Sequence, residues 1–274
     1  QMVHDQDMAI RVVAAPTVYH LELGQALAAR GIHALIEKPV ASDSTSAIEL
    51  RDLFDAAGLI GGVGHIERYN PALQSMRRRI EEGLLGEIYQ VTTRRQGPFP
   101  GRIADVGVVK DLATHDIDLT AWVTQQPYVS INARTAHRSG RSHEDIVLAI
   151  GTLADGTIVS HTVNWLSPFK ERTTVVLGEK GALVADTLSA DLTHFQNGVV
   201  ESSWDRISTF RGVSEGDMTR FALHRIEPLL AEHTAFRDAV LAGDPAGIVT
   251  LAEGTDVVAI AERFVADGLE HKLN

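Results

Sequence analysis

The sequence predicts an α/β protein in two parts: a partial doubly wound parallel sheet, followed by an α/β domain with a large open, mainly antiparallel sheet. Two patterns carry that prediction. Residues 8–64 alternate short apolar runs with helical stretches in the order strand, helix, strand, helix, strand. From residue 127 onward, runs of strand length follow one another with hairpin turn signals between them.

In the first part, MAIRVVAAPTVYH is an apolar run ending at Ala15-Pro16-Thr17, and the helical stretch LELGQALAARG stops at Gly31. IHALIEKPV is a second buried strand. SDSTSAIELRDLFDAAG repeats the device, with serine and aspartate to cap the helix and glycine to end it. LIGGVGH closes the series, and short connections between such units imply parallel strands with right-handed crossovers. The texture changes after His65, so residues 1–65 are read as one domain and 66–274 as the next. There NPALQSMRRRIEEGLLG and VVKDLATHDIDLTAWVT read as helices. Ala154-Asp155-Gly156 and Gly178-Glu179-Lys180-Gly181 mark hairpins, and the tail from Pro228 returns to helix.

Composition narrows the partners. A net charge of -11 argues against nucleic acid, whose phosphates require lysine and arginine, and favours a small substrate. Without cysteine, disulfides, thiolate zinc sites and a cysteine nucleophile are excluded. No apolar run approaches the ~20 residues needed to span a bilayer, and residues 1–10 have neither a basic start nor an apolar signal core. The expectation is a cytoplasmic protein without membrane contact.

A dinucleotide domain opens with a strand, G-x-G-x-x-G and a helix, so that the pyrophosphate sits on a helix N-terminus. That fingerprint is not found. Gly61-Gly62-Val63-Gly64 ends a strand late in the series and has the wrong spacing. The opening strand reads as the fourth of such a domain, which places roughly 60 residues upstream, at about 30 per βαβ-sized unit. The expectation is that the N-terminal part of the cofactor domain is missing from the sequence, or has been lost by a cofactor-free homologue.

Several residues suit proton and hydride chemistry. Lys38 in Glu37-Lys38-Pro39 follows a buried strand and points off the carboxyl edge of the sheet, where ligands bind, although such a tripeptide alone reads more readily as a surface turn. Asp111 and His115, four apart, share one helix face, with Asp118 near the next turn. Imidazole, with a reference pKa of about 6.5, suits removal of a hydroxyl proton near neutrality. Asp111 then fixes the ring tautomer or holds a substrate hydroxyl, and Lys38 is the alternative base or an alkoxide stabiliser. A metal at Asp111, His115 and Asp118 is disfavoured, because no second ligand cluster accompanies them. Arg68, Arg94, Arg95 and Arg102 flank the GPFPGR loop, and guanidinium groups clamp diphosphates. Lys170 and Arg172 add further phosphate contacts, while Trp165 reads first as core.

APTVYH, EKP and a helix bearing D-x-x-x-H resemble the Gfo/Idh/MocA oxidoreductases, a Rossmann domain joined to an α/β domain with a large open sheet. The blocks GHIERYNPA, RRQGPFPGRIADVGVVKDLATHDIDL, HED at 143–145 and NWLSPFKERTTVVLGEKGAL are similar to the UDP-N-acetylglucosamine 3-dehydrogenase branch. The resemblance implies NAD or NADP as cofactor. It implies Pro16, Thr17, His20, Glu37 and Lys38 near that cofactor, and Lys38, Asp111 and His115 at the reacting hydroxyl. Arg68, Asn70, Arg102 and Lys170 would then meet sugar or diphosphate. The activity implied is oxidation of the C3 hydroxyl of a UDP-N-acetylhexosamine to a 3-keto sugar. A dehydrogenase of another sugar or inositol, and a cofactor-free binding or regulatory protein, are the alternatives. Apolar strands on an open sheet face point to a homo-oligomer.

Overall fold

Three parallel strands, β1 (Ile10–Val13), β2 (His33–Glu37) and β3 (Gly61–Gly64), form the first sheet in the order β1-β2-β3. The computed structural model describes residues 9–101, 105–198 and 214–270. Crossovers run through α1 (His20–Ala28) and α2 (Ser44–Ala56), as the alternating pattern predicts. Asp43 caps α2 by accepting from the Ser46 amide. Ala34, Leu35 and Ile36 of β2 are all buried, because a central parallel strand has helices or chain on both faces.

The second sheet has eight strands: β4 (Ile88–Pro98), β5 (Tyr128–Ala136), β6 (Ile146–Leu153), β7 (Ile158–Asn164), β8 (Leu166–Gly178), β9 (Gly181–Asp186), β10 (Asp191–Gly198) and β11 (Ser214–Arg220). Their order is β11-β10-β9-β8-β4-β7-β6-β5. Every neighbouring pair is antiparallel except β4 and β7, and both expected hairpins form. The helices α3 (Pro71–Glu81) and α4 (Thr114–Thr124) cover one face. Along β6, Val147 and Ala149 are buried while Leu148 and Ile150 are exposed, so the other face is open and apolar.

Of the last two helices, α5 (Pro228–Ala242) packs against the first sheet and α6 (Leu251–Glu270) binds the halves together. Val249, Leu251 and Val258 join the core under β1 to β3, whereas Val257, Ala261 and Phe264 join the core beneath β5 to β7. The division at residue 65 therefore separates the sheets, but the core of the first sheet draws on residues from the end of the chain. Among the described residues no helix is long and apolar enough to cross a membrane.

Two buried polar groups fix the layer between helices and the large sheet. The helix expected over 108–124 begins with a π-helical turn, Val109–Ala113, before continuing as α4. No side chain of its own caps it. Instead Glu144, from the segment before β6, accepts from Val109 N through Oε1 at 3.1 Å, and its carbonyl accepts from Val108 N at 2.9 Å. A Cβ at Gly107 would collide with this carboxylate, so glycine permits the approach. On β7, His161 lies between Thr93 Oγ1 (2.7 Å) and the Tyr128 hydroxyl (2.9 Å), and burial pushes its imidazole down to about 4.

Two stability measurements test these assignments. Glu144→Ala should destabilise the fold by about 1–2 kcal/mol, the cost of a lost helix cap, and Glu144→Gln by less, because the amide oxygen still accepts. Urea unfolding at neutral pH reads the difference, and equal losses would remove the cap. Since the unfolded chain takes up a proton on His161 near pH 6.5 and the folded one only near 4, acidification through that window favours unfolding. His161→Gln should therefore lose less stability than the parent between pH 7 and pH 4, by roughly 3 kcal/mol. Parallel pH dependences would contradict the buried neutral histidine.

Candidate active site

The carboxyl end of β2 meets the π-turn at one ion pair. Lys38 follows the last residue of β2, with a cis peptide bond to Pro39, and its Nζ donates to Asp111 Oδ1 at 3.0 Å and to the Asp111 carbonyl at 2.6 Å. A second tie runs in parallel, from Lys110 Nζ to the carbonyl of Ser42. Lys38, Asp111 and His115 line a cleft of about 460 Å³ together with Glu37, Glu67 and Lys170. The sequence places the first three in one site, and the structure brings them together.

Their division of labour differs from the expected one in one respect. The Asp111 carboxylate turns to Lys38, and the buried Nδ1 of His115 has no hydrogen-bond partner, so Asp111 does not fix the ring tautomer. Burial, reinforced by the positive charges of Lys38 and Arg95, holds the His115 pKa well below its ordinary 6.5. The ring is neutral at physiological pH and able to accept a proton. His65 packs edge-on against it, ring centroids 6.5 Å apart, and is likewise depressed by burial.

Beneath the cleft, carboxylates of α4 are paired one by one. Arg95, fully enclosed, donates from Nη1 to Glu67 at 2.7 Å and from Nε to Asp116 at 3.0 Å. Burial nonetheless pushes the Asp116 carboxyl up to about 6, against the opposing pull of Arg95. Arg68 forms a bidentate pair with Asp118 (2.6 and 2.9 Å) and reaches Glu253 on α6 at 2.7 Å. Asp111 and Asp118 thus face different cations.

The other sequence candidates separate into those free to act and those already engaged. Arg68 is paired with Asp118 and Glu253 and does not line the cleft. Asn70 caps α3 through its oxygen and donates to the Thr187 carbonyl, so its amide is a structural brace. His20 sits between the carbonyls of Ala15 and Pro39, both at 2.9 Å, and ties the turn after β1 to the loop after β2. Thr17, preceded by Pro16, donates its amide to Asp105 at 3.2 Å. Glu37 keeps its carboxylate against Gly64 and accepts from the Lys38 amide. Trp165 is buried, as expected. Arg102 lies outside the described residues. Sequence reasoning missed the pairing of Arg95 with Glu67 and Asp116 and the cap from Glu144. The adjacent arginines at 94 and 95 and the HED tripeptide carried those signals without revealing their partners.

Comparison with known proteins identifies the family and the fold. Residues 1–65 match the model of an oxidoreductase family with an NAD-binding Rossmann fold, and residues 73–184 match the Gfo/Idh/MocA C-terminal domain. UDP-N-acetylglucosamine 3-dehydrogenase from Acidithiobacillus ferrooxidans is 30% identical over 148 residues, 54% of this chain and 46% of that protein. Myo-inositol dehydrogenase Hyg17 from Streptomyces leeuwenhoekii is 31% identical over 182 residues, 63% of this chain and 56% of that protein. The chain spans about half the length of these curated relatives. Among solved structures, UDP-N-acetylglucosamine 3-dehydrogenase GnnA from A. ferrooxidans superposes with a TM-score of 0.80 at 24% identity, covering 94% of this chain and 78% of that one, a likeness of fold. With both halves matched in order by models of one family, the chain belongs to the Gfo/Idh/MocA family.

Proposed function

We propose that this chain acts as an NAD(P)-dependent sugar oxidoreductase, oxidising the C3 hydroxyl of a UDP-N-acetylhexosamine to the 3-keto sugar. The observation that carries the reading is a neutral, buried His115 beside an ammonium held by Asp111 in one cleft. The residues present fit the nicotinamide end of the cofactor: Glu37 and Lys38 stand at the carboxyl edge of β2, where open parallel sheets receive ligands. No residue described here forms a glycine-rich cradle for the pyrophosphate. NAD(P), when bound, supplies the hydride acceptor. His115 takes the hydroxyl proton, and since Nδ1 is sealed in, Nε2 is the nitrogen left for this work. Lys38, oriented by Asp111, donates a hydrogen bond to the oxygen as negative charge develops there. Pro16, Thr17 and His20 shape the neighbouring turn, and Arg102 and Lys170 are the candidates for the sugar or diphosphate.

The similarity to a myo-inositol dehydrogenase supports a second reading, a polyol or another sugar as substrate with the same chemistry. Division at residue 65 into a cofactor part and a substrate part is part of the proposal. So is self-association through the open sheet face, where Val129, Leu148, Ile150 and Ile158 are exposed.

Kinetic assays with NAD and a panel of UDP-N-acetylglucosamine, free sugars and inositol test the reading. Lys38→Met should lower kcat by at least about 100-fold, the scale of a lost oxyanion donor, and should also lower the melting temperature, because it leaves the Asp111 carboxylate without its cation. His115→Asn should lower kcat by roughly 100-fold or more. Because the depressed pKa keeps His115 unprotonated well into acid, the acid limb of kcat in the parent should fall below pH 6.5. Near-normal kcat in either variant would remove that residue from the mechanism, and inositol as the preferred substrate would replace the nucleotide sugar.

A further inference from the structure

We infer that Lys170 and Arg172, neighbours on one face of β8, form an oxyanion subsite that selects substrates bearing a phosphate or carboxylate group. The inference rests on the proposed site being the sugar site, since both side chains line the same cleft as Lys38, Asp111 and His115.

Charge pairing singles them out. Among the described residues, Lys38, Arg95, Lys170 and Arg172 are the lysines and arginines that line this cleft. Lys38 is matched by Asp111, and Arg95 by Glu67 and Asp116. Arg172 stands opposite Arg95 in the β4–β8 register and has only a 3.7 Å approach to Glu67 Oε1, an oxygen that Arg95 already holds at 2.7 Å. Lys170 has no ion-pair partner among the described residues. The glycine at 97 lies under its stem, leaving the side chain room to lie across β4.

Two like charges held near each other and near Arg95, in a chain of net charge -11, are a local surplus. Burial and Arg95 both disfavour the charge on Arg172, while its side chain remains 41% exposed to the cleft. An incoming oxyanion supplies what Glu67 cannot. A guanidinium offers it a fork of two N–H donors, and the lysine adds a point charge, the combination that binds phosphate and carboxylate groups. A neutral polyol leaves this surplus unmatched. The pair therefore favours a charged sugar derivative over an inositol.

Calorimetry on the Gln1–Asn274 chain decides the matter, with UDP, UDP-N-acetylglucosamine and glucuronate as probes. Arg172→Gln and Lys170→Gln should each weaken oxyanion binding by about tenfold, the worth of one charge-assisted hydrogen bond, and the double variant by more. Arg51→Gln, which alters a partly exposed cation on α2 paired with Asp52 and outside the cleft, should bind as the parent does. Thermal melts of each variant exclude misfolding as the cause. Unchanged binding in the double variant overturns the subsite, as does failure of all three probes to bind the parent. Arg172-dependent binding of glucuronate without binding of UDP upholds the subsite and removes the nucleotide. Arg172-dependent binding of UDP-N-acetylglucosamine without its oxidation in the presence of NAD upholds the subsite while the proposed reaction fails.

Discussion

Buried carboxylates must be paired, and that constraint organises this molecule. One helical segment carries Asp111, Asp116 and Asp118, all sequestered from water. An unpaired charge in such a place costs several kcal/mol, so each acid recruits a cation. The three cations come from three elements: Lys38 from the end of β2, Arg95 from β4 and Arg68 from the 3-10 turn after β3. Assembling the helix therefore assembles the junction between the parallel sheet and the large mixed sheet. The cleft is the part of that junction left open.

The pairing also explains why a site so rich in charge can hold a neutral imidazole. His115 projects from the same segment, between the Lys38 pair and the Arg95 pair, and the nearby positive charges reinforce the effect of burial. Acids around it are occupied by their own partners and give it no hydrogen bond at Nδ1. The network thus keeps a proton off the ring and holds the ammonium a short distance away. Stability and chemistry draw on the same set of pairs.

Much of this architecture is written in local pattern. Strand and helix alternation up to Gly64, the caps at Asp43 and Gly31, and the turns at 154–156 and 178–181 all report on residues close in sequence, and all are legible there. Lys38, Asp111 and His115 were legible as one site through the resemblance of EKP and D-x-x-x-H to a family pattern, since the tripeptide alone reads more readily as a surface turn. What was hidden depends on distant partners. Arg68 looks like an anion ligand until Asp118, 50 residues on, and Glu253, 185 residues on, are seen to hold it. Asn70 gives no sign that Thr187 will take its amide. The parallel pairing of β4 with β7 and the return of α6 to the first core are likewise products of topology, invisible to periodicity.

The π-turn at Val109–Ala113 is a phase adjustment in that helix. A helix advances about 100° per residue, so one extra residue in a wide turn changes which way every later side chain points. With the turn present, Asp111 looks toward β2 while Asp116 and Asp118 look toward β4 and the 3-10 turn. Removing one residue from this stretch would leave a sound α-helix, yet it would turn the carboxylates before the deletion out of step with those after it. Length here is as constrained as residue identity. This segment must keep its count for both sheets to stay in register with one set of charges.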